Sequence, residues 1–143
     1  MAKKDLENKL LAVIRVRGRV NVRHSISETL KRLNLNRVNN LVLVHATKSS
    51  LGMINKCNDY VTYGEASKEV VGKLLQKKGI EVDEDKINDL FTGKKSAKEL
   101  SIGMPIGMKP PKHGYEHIKK SFSTSGSLGY RGEKINDLIK RMM

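Results

Sequence analysis

Three short runs of apolar residues, separated by two stretches with helical spacing, set the narrowest limit on the fold. Residues 10–17, Leu-Leu-Ala-Val-Ile-Arg-Val-Arg, predict a strand with Ile14 and Val16 on one face and arginines on the other. The run 40–46, Asn-Leu-Val-Leu-Val-His-Ala, is short, β-branched and has a continuous apolar stretch, as in a strand covered on both faces. Residues 60–63, Tyr-Val-Thr-Tyr, predict a third strand. The chain is therefore expected to build a small sheet.

The segments between these strands predict two helices. Ser25 and Glu28 match a capping box, and apolar residues follow at helical spacing as far as Asn34. A Thr47/Ser49/Ser50 cap precedes the second helix, over residues 51–57. The predicted order is β-α-β-α-β. With the first helix as a crossover, the first two strands are expected to be parallel neighbours.

Residues 65–103 predict a helical insert. A helix is expected from Glu65 to Lys78, ended by Gly79, followed by shorter helices over Asp83–Phe91 and Ser96–Leu100. Gly103–Met108 predicts a short edge strand, because Pro105 cannot donate a ladder hydrogen bond from a central position. The insert is expected to pack beside the core unit.

The C-terminal region is expected to combine a long basic loop with a final helix. Residues 109–130 hold cations, two prolines and a Ser/Gly-rich run, which predicts a loop that is mobile until a partner orders it. Residues 131–142 predict a helix with an apolar stripe. The whole chain, 1–143, is interpreted as one domain, with a core at about 10–64, the insert at about 65–103, and the loop and helix at about 104–143.

The charge distribution indicates a polyanionic partner. Lys and Arg number 28 against 15 Asp and Glu, a formal net charge of +13. Residues 1–64 carry +8 and residues 109–143 carry +5, while residues 65–108 are neutral. A membrane partner is not favoured, because the chain shows no basic amphipathic helix, lipidation motif or bilayer-length apolar run. We therefore expect a soluble, intracellular, nucleic-acid-binding protein whose single cysteine, Cys57, is a reduced, inert thiol.

Sequence motifs for catalysis and metal binding are missing. There is no phosphate-binding glycine loop ending in Lys-Ser/Thr, no Gly-x-Ser-x-Gly turn and no pair of carboxylates in an apolar setting. His113 and His117 have no Cys, Asp or third His nearby to complete a metal site. The acidic run at residues 81–85 is interpreted as the first turn of a helix. An enzyme, a metal site, a cofactor and a small-molecule substrate are not expected.

Two groups of residues are candidates for RNA binding. The first is an arginine series along the first strand and the turn after it, spaced to follow a phosphate backbone; the second is the basic loop, whose tyrosines could stack on bases. The alternatives are a solvated strand face and a flexible surface loop. The candidates are Arg15, Arg17, Arg19, Arg23, His24, Lys31, Arg32, Arg37, Lys56, Lys109, Lys112, His113, Tyr115, Lys119, Lys120 and Arg131.

Several phrases of the chain resemble the archaeal form of the large-subunit ribosomal protein thirty family, whose eukaryotic members are called the L-seven type. The resemblance covers nearly the whole chain from about Leu10. Its core phrases are Ala12–Gly18, Thr29–Arg37, Gly52–Lys56 and Asp59–Glu65, and its C-terminal phrases are Lys109–Gly114, Leu128–Gly132 and Ile135–Ile139.

The resemblance implies an α+β fold: a ferredoxin-like β-α-β-α-β core with an additional helical insert and a basic C-terminal loop plus helix. It also implies a structural constituent of the large subunit of the cytoplasmic ribosome, bound to large-subunit ribosomal RNA and to neighbouring ribosomal proteins, without catalytic residues or cofactor. 5S RNA is a further candidate partner. The alternatives are a freestanding RNA-binding regulator or chaperone, which recovery with large subunits at high salt would separate, and a nucleic-acid-modifying enzyme, which would need a polar pocket.

Overall fold

A six-stranded sheet with helices on both faces forms the centre of the part of the chain that the computed structural model describes, residues 9–79, 83–92 and 106–143. The strand order is β4-β2-β1-β3-β6-β5. The strands are β1 (Leu10–Arg15), β2 (Asn40–His45), β3 (Val61–Glu65), β4 (Ile106–Gly107), β5 (His117–Ser121) and β6 (Gly126–Tyr130). The helices are α1 (His24–Arg32), α2 (Lys48–Lys56), α3 (Lys68–Lys77), α4 (Glu84–Thr92) and α5 (Ile135–Met142).

The pairing of β1 corrects one prediction and confirms another. β1 is antiparallel to both of its neighbours, with Val13 opposite Val42 in β2 and opposite Tyr63 in β3. The expected parallel pairing of the first two strands was therefore wrong. The chain leaves β1 and enters β2 at the same end of the sheet, with α1 held within that connection. The predicted β-α-β-α-β order and the α+β, ferredoxin-like class are confirmed. The true crossover is α2, which joins β2 to β3 past β1.

Two apolar clusters cover the two faces of the sheet. Alternation along β1 sends Leu11 and Val13 to one face, where they pack with α1 and α2. It sends Ala12 and Ile14 to the other face, where they pack with α3, α4 and α5. Every residue of β1 is buried for this reason. The described helices of the insert, α3 and α4, thus pack against the core, as predicted.

Local signals at the helix ends were partly correct. Thr47 caps α2, its hydroxyl accepting a hydrogen bond from the Ser50 amide at 3.1 Å. Gly79 follows α3 with φ of 74°, a conformation that favours glycine. The capping box at Ser25 was wrong, because the N-cap of α1 is Arg23, two residues before Ser25, and the Arg23 side chain makes no capping hydrogen bond. The Ser25 carbonyl instead accepts from the Thr29 hydroxyl at 2.9 Å.

The C-terminal third contains more regular structure than predicted. β4 lies at one edge of the sheet, as expected, while the helix predicted at Ser96–Leu100 falls outside the described residues. Residues 109–116 lack strands and helices, but residues 117–130 form β5, a 3-10 turn and β6. The prediction of a loop without regular structure over 109–130 was therefore wrong in its second half. β6 pairs in parallel with β3, and β5 lies beside β6 with an irregular register.

Candidate nucleic-acid interface

Strand register brings distant basic segments to one end of the sheet. β1 ends where β2 and β3 begin, because Arg15 lies opposite Val61 and Ile14 lies opposite Leu41. The pairing of Gly107 with Asn40 brings the end of β4 to the same place. We call this the arginine end, and it comprises residues 15–39, 56–60 and 107–115.

Backbone hydrogen bonds fix the segments of the arginine end against one another. The amide of Val16 donates to the Tyr60 carbonyl at 2.9 Å, and the amide of Asn39 donates to the Arg15 carbonyl at 2.8 Å. The Met108 amide donates to the Asn39 carbonyl at 3.0 Å. The connection between β1 and β2, the start of β3 and the residues after β4 therefore form one continuous surface.

Positive charge is concentrated on this surface. Residues 15–39 contain seven Arg and Lys and a single acidic residue, Glu28. Among the described residues the ion pairs are Lys31 with Glu28, at 3.6 Å, and Lys9 with Glu65 at the other end of the sheet. The remaining basic side chains of residues 15–39 thus have no carboxylate within salt-bridge distance in the described part of the chain. The exposed candidates here are Arg19, Arg23, His24, Lys31, Arg32, Arg37 and Lys56.

Arg15 does not lie on an exposed cationic face, which corrects the prediction for the first strand. Its side chain is 3% exposed, and its guanidinium donates to three carbonyls: Leu35 at 2.7 Å, Arg17 at 2.9 Å and Gly18 at 3.2 Å. Burial, and then the nearby Arg19 charge, lower the pKa of Arg15. Alternation predicted an outward side chain, but β1 is covered on both faces, so the guanidinium instead ties the two halves of the β1–β2 connection together.

Arg17 lies beyond the end of β1 and is half-exposed. Its guanidinium lies 5.0 Å from the centre of the Tyr60 ring, and one nitrogen donates to the Asp59 carbonyl at 3.4 Å. A cation held on an aromatic face keeps its other donors available. The predicted cationic face thus resolves into one buried arginine, one half-exposed arginine and the exposed Arg19.

The basic segment after β4 is held by the last turn of α5. The Lys112 amide donates to the Arg141 carbonyl at 3.1 Å, and the Arg141 guanidinium donates to the carbonyls of Lys112 at 2.9 Å and Gly114 at 2.6 Å. Lys109, Lys112 and His113 are exposed. Sequence reasoning did not single out Arg141, since it is indistinguishable from a solvated cation on the polar side of a helix.

Tyr115 does not present its ring as a free stacking surface. The ring packs against the core cluster beside α5, and its hydroxyl donates to the Asn39 side-chain oxygen at 2.5 Å. Burial raises the pKa of Tyr115 to about 12. The expected base-stacking role is therefore replaced by a structural one, which anchors residues 109–116 to the start of β2. Asn39, also missed from the sequence, has φ of 66°, typical of Asn in turns.

The last candidates divide between the sheet edge and the interior. Lys119 and Lys120 are exposed on the edge strand β5. Arg131 is buried, at 8% exposure, and donates to the Thr62 hydroxyl at 2.8 Å and to the Ser127 carbonyl at 3.1 Å. Burial is the main cause that lowers the pKa of Arg131. Like Arg15, it joins protein segments instead of facing solvent.

Other kinds of site find no support in the described residues. Residues 9–79, 83–92 and 106–143 contain no group of three or more His, Cys, Asp or Glu side chains arranged to hold a metal ion. In the same ranges no helix combines the length and the apolar character needed to cross a membrane.

Comparison with known proteins identifies the family of the chain. The model of the family "Ribosomal protein L30p/L7e" matches residues 11–61. The chain is 42% identical to the large ribosomal subunit protein uL30 of Nanoarchaeum equitans, over 92% of the chain and 97% of that protein. It is 40% identical to the uL30 of Methanococcus vannielii, over 92% and 98%, and 38% identical to that of Thermoplasma acidophilum, over 94% and 93%. With such matches over nearly its whole length, the chain belongs to the L30p/L7e family of ribosomal proteins.

Proposed function

We propose that this chain is a structural component of the large ribosomal subunit that binds ribosomal RNA through the arginine end of its sheet. Membership of a ribosomal protein family makes it a structural protein of the cytoplasmic ribosome, not an enzyme. RNA binding at the arginine end is a separate proposal, which membership of the family does not establish by itself. It is supported by the exposed cations of residues 15–39, which meet a single acidic residue in the same segment.

The exposed cations are expected to contribute to RNA binding in different ways. Arg19, Arg23 and Arg37 carry guanidinium groups that can each hold a phosphate through two hydrogen bonds. Lys31, Arg32 and Lys56 extend the positive field along the ends of α1 and α2. Lys109, Lys112 and His113 add a second group of cations on the segment held by α5, and His24 lies at the start of α1.

The buried candidates support binding without facing the RNA. Arg15 holds the carbonyls of Leu35, Arg17 and Gly18, so it sets the distance between the loop that carries Arg19 and the turn that carries Arg37. Tyr115 holds the second group of cations against Asn39. Prearranged cations lose less conformational entropy on binding than cations on free loops.

The salt dependence of affinity for deproteinised large-subunit ribosomal RNA tests the proposal. Each phosphate contact releases condensed counterions, so log K should fall with log salt concentration, and Arg19→Ala and Arg37→Ala should each lower that slope by about one unit. Lys48→Ala is the matched control, because Lys48 is exposed at the start of α2, at the opposite end of the sheet. Equal slopes for all three variants would mean that the arginine end is only solvated.

A second experiment separates a ribosomal component from a freestanding RNA-binding regulator. A structural component should sediment with large subunits in one copy after a high-salt wash, whereas a regulator should wash off. Crosslinking of the assembled subunit then identifies the RNA helices touched, including any in 5S RNA, and the neighbouring ribosomal proteins. The charges of α3 and α4 cancel each other, so these two helices are expected to contribute little to RNA affinity, and charge reversal at Lys73 should leave that affinity unchanged.

A further inference from the structure

The large apolar side chains that are exposed in the described part of the chain all lie beside cations. Val20, 85% exposed, follows Arg19, and Val38, 39% exposed, follows Arg37. Ile118, 44% exposed, precedes Lys119 on the edge strand. Val20 and Val38 both belong to the β1–β2 connection at the arginine end.

Val20 is the most exposed of these side chains, and exposed arginines lie on both sides of it in the sequence. Arg19 precedes it and Arg23 follows three residues later, both exposed. Asn21, with φ of 59°, turns the backbone directly after it. The segment therefore presents an exposed aliphatic side chain that lies between two exposed arginines in the sequence.

A protein partner fits this segment poorly. The exposed apolar patches that mark protein interfaces are contiguous and contain several side chains. Here Val20 and Val38 are far apart in the sequence, each directly follows an arginine, and both lie within a segment of seven basic residues and one acidic residue. Charge complementarity favours RNA, whose groove floors offer ribose and base carbon atoms between two lines of phosphates.

We propose that Val20 packs into the shallow minor groove of an RNA double helix while Arg19 and Arg23 hold phosphates on its two sides. This inference rests on the proposed function and adds to it the kind of RNA surface that the arginine end recognises. The A-form minor groove is wide and shallow, so a loop tip reaches its floor. Apolar side chains take an equivalent place in proteins that bind the minor groove of DNA.

Substitutions at position 20 separate apolar contact from phosphate contact. Against deproteinised large-subunit ribosomal RNA, Val20→Ala and Val20→Thr should bind about three- to tenfold more weakly, because they lose buried apolar surface or bury a hydroxyl. The salt slope should stay that of the parent protein, since neither change removes a charge. Val20→Leu keeps an apolar side chain and should retain affinity. If the three variants bind as tightly as the parent while Arg19→Ala still lowers the slope, the inference is wrong and the proposed function stands.

Directed cleavage locates the groove. An iron chelate that generates hydroxyl radicals is attached to Val20→Cys, and the native Cys57, which is buried, is replaced by Ala in all samples. Radicals released in a minor groove should cut both strands of one helix, with the cuts displaced towards the 3′ side on each. Cuts displaced towards the 5′ side, cuts confined to unpaired nucleotides, or no cuts near position 20 would each overturn the inference. Gln76→Cys on α3, exposed and in the neutral region, is the control and should give no cuts of this pattern.

Discussion

The two ends of the sheet handle charge in opposite ways. At the end where β1 begins, Lys9 pairs with Glu65 at 3.0 Å, and the Tyr130 hydroxyl donates to the same carboxylate at 3.2 Å. We call this end of the sheet the carboxylate end. There the Asn136 side chain also donates to the Glu65 backbone carbonyl, at 3.2 Å. At the arginine end the buried Arg15 is held by carbonyls, and most of its basic neighbours lack a carboxylate within the described residues.

This difference separates charges that stabilise the fold from charges left for a partner. A carboxylate beside the cations of the arginine end would compete with phosphate, whereas the pair of Lys9 and Glu65 needs nothing from outside. Carbonyl partners orient the guanidinium of Arg15 without cancelling its charge. The arginine end therefore keeps its positive charge, and four predictions test how far the contrast holds.

The largest effect is expected from Gly64→Ala, which disrupts the carboxylate end. A Cβ at Gly64 would overlap the Gly132 carbonyl and lie 2.8 Å from the Ile135 Cβ, so α5 could not keep its place on β3. Overpacking of this kind costs about 1–3 kcal/mol, and we expect about 3 kcal/mol off the free energy of unfolding in urea. Gly52→Ala is the control: it has open space within α2, so the substitution should be neutral or stabilise by up to about 1 kcal/mol.

Arg15→Met tests the arginine end, and Lys9→Met is its counterpart at the carboxylate end. Loss of the guanidinium leaves the Leu35 carbonyl without its buried donor and frees two more carbonyls, so we expect about 2 kcal/mol less stability. Lys9 belongs to a pair whose lysine is 43% exposed, and its loss should cost under about 1 kcal/mol. Equal losses in urea unfolding would contradict the distinction between the two ends.

Alkaline pH is expected to loosen the arginine end through Tyr115. Its pKa is raised from 10.0 to about 12 in the folded protein, so between those pH values the folded state binds more protons than the unfolded state. The stability contributed by the neutral phenol is present below pH 10 and falls as the pH rises towards 12. Tyr115→Phe should lose about 1 kcal/mol at neutral pH and show a shallower alkaline decline. Urea midpoints across this interval provide the measurement, and an unchanged decline would mean that Tyr115 is not the group responsible.

The smallest effect concerns the thiol of Cys57, which reports on opening of the arginine end. The side chain is fully buried and burial raises its pKa from 9.0 to about 11, so a maleimide should react with the folded protein far more slowly than with the unfolded chain. Because Cys57 directly follows α2 at the arginine end, Arg15→Met should speed labelling more than Lys9→Met does. The reverse order would place the loosening elsewhere.

Patterns that depend on near neighbours predicted the fold well. Alternation located the first strand and a continuous apolar run the second, and the Thr47 cap and Gly79 located two helix ends, because these signals act within a few residues. Strand pairing could not be predicted from such local patterns, and the predicted parallel pairing of β1 with β2 was wrong. A helix between two strands is consistent with a crossover to a parallel strand and with a return to the same end of the sheet. The pattern of apolar residues in β1, α1 and β2 is the same in both cases, so the sequence did not distinguish them.

Candidate binding residues were predicted by type but not by environment. Arg15 and Arg19 look alike in the sequence, yet one is buried and the other exposed, because β1 ends at Arg15 and is covered on both faces. Tyr115 lies among cations in the sequence, but its partner Asn39 is 76 residues away. Such long-range partners leave no local pattern, so the exposed and the structural cations could be separated only with the fold in hand.

The two apolar clusters also imply an order in which the chain can fold as it is synthesised. On the sheet face that packs with α1 and α2, the buried residues run from Leu11 to Val61. This layer can therefore form once those residues have emerged from the ribosome that synthesises the chain. The opposite face also needs Met142, in α5, which is made much later. A nascent chain therefore carries one covered and one uncovered face of the same sheet until α5 has been made and packs onto it. Truncation of its last turn would leave an aggregation-prone apolar surface even though every strand is present.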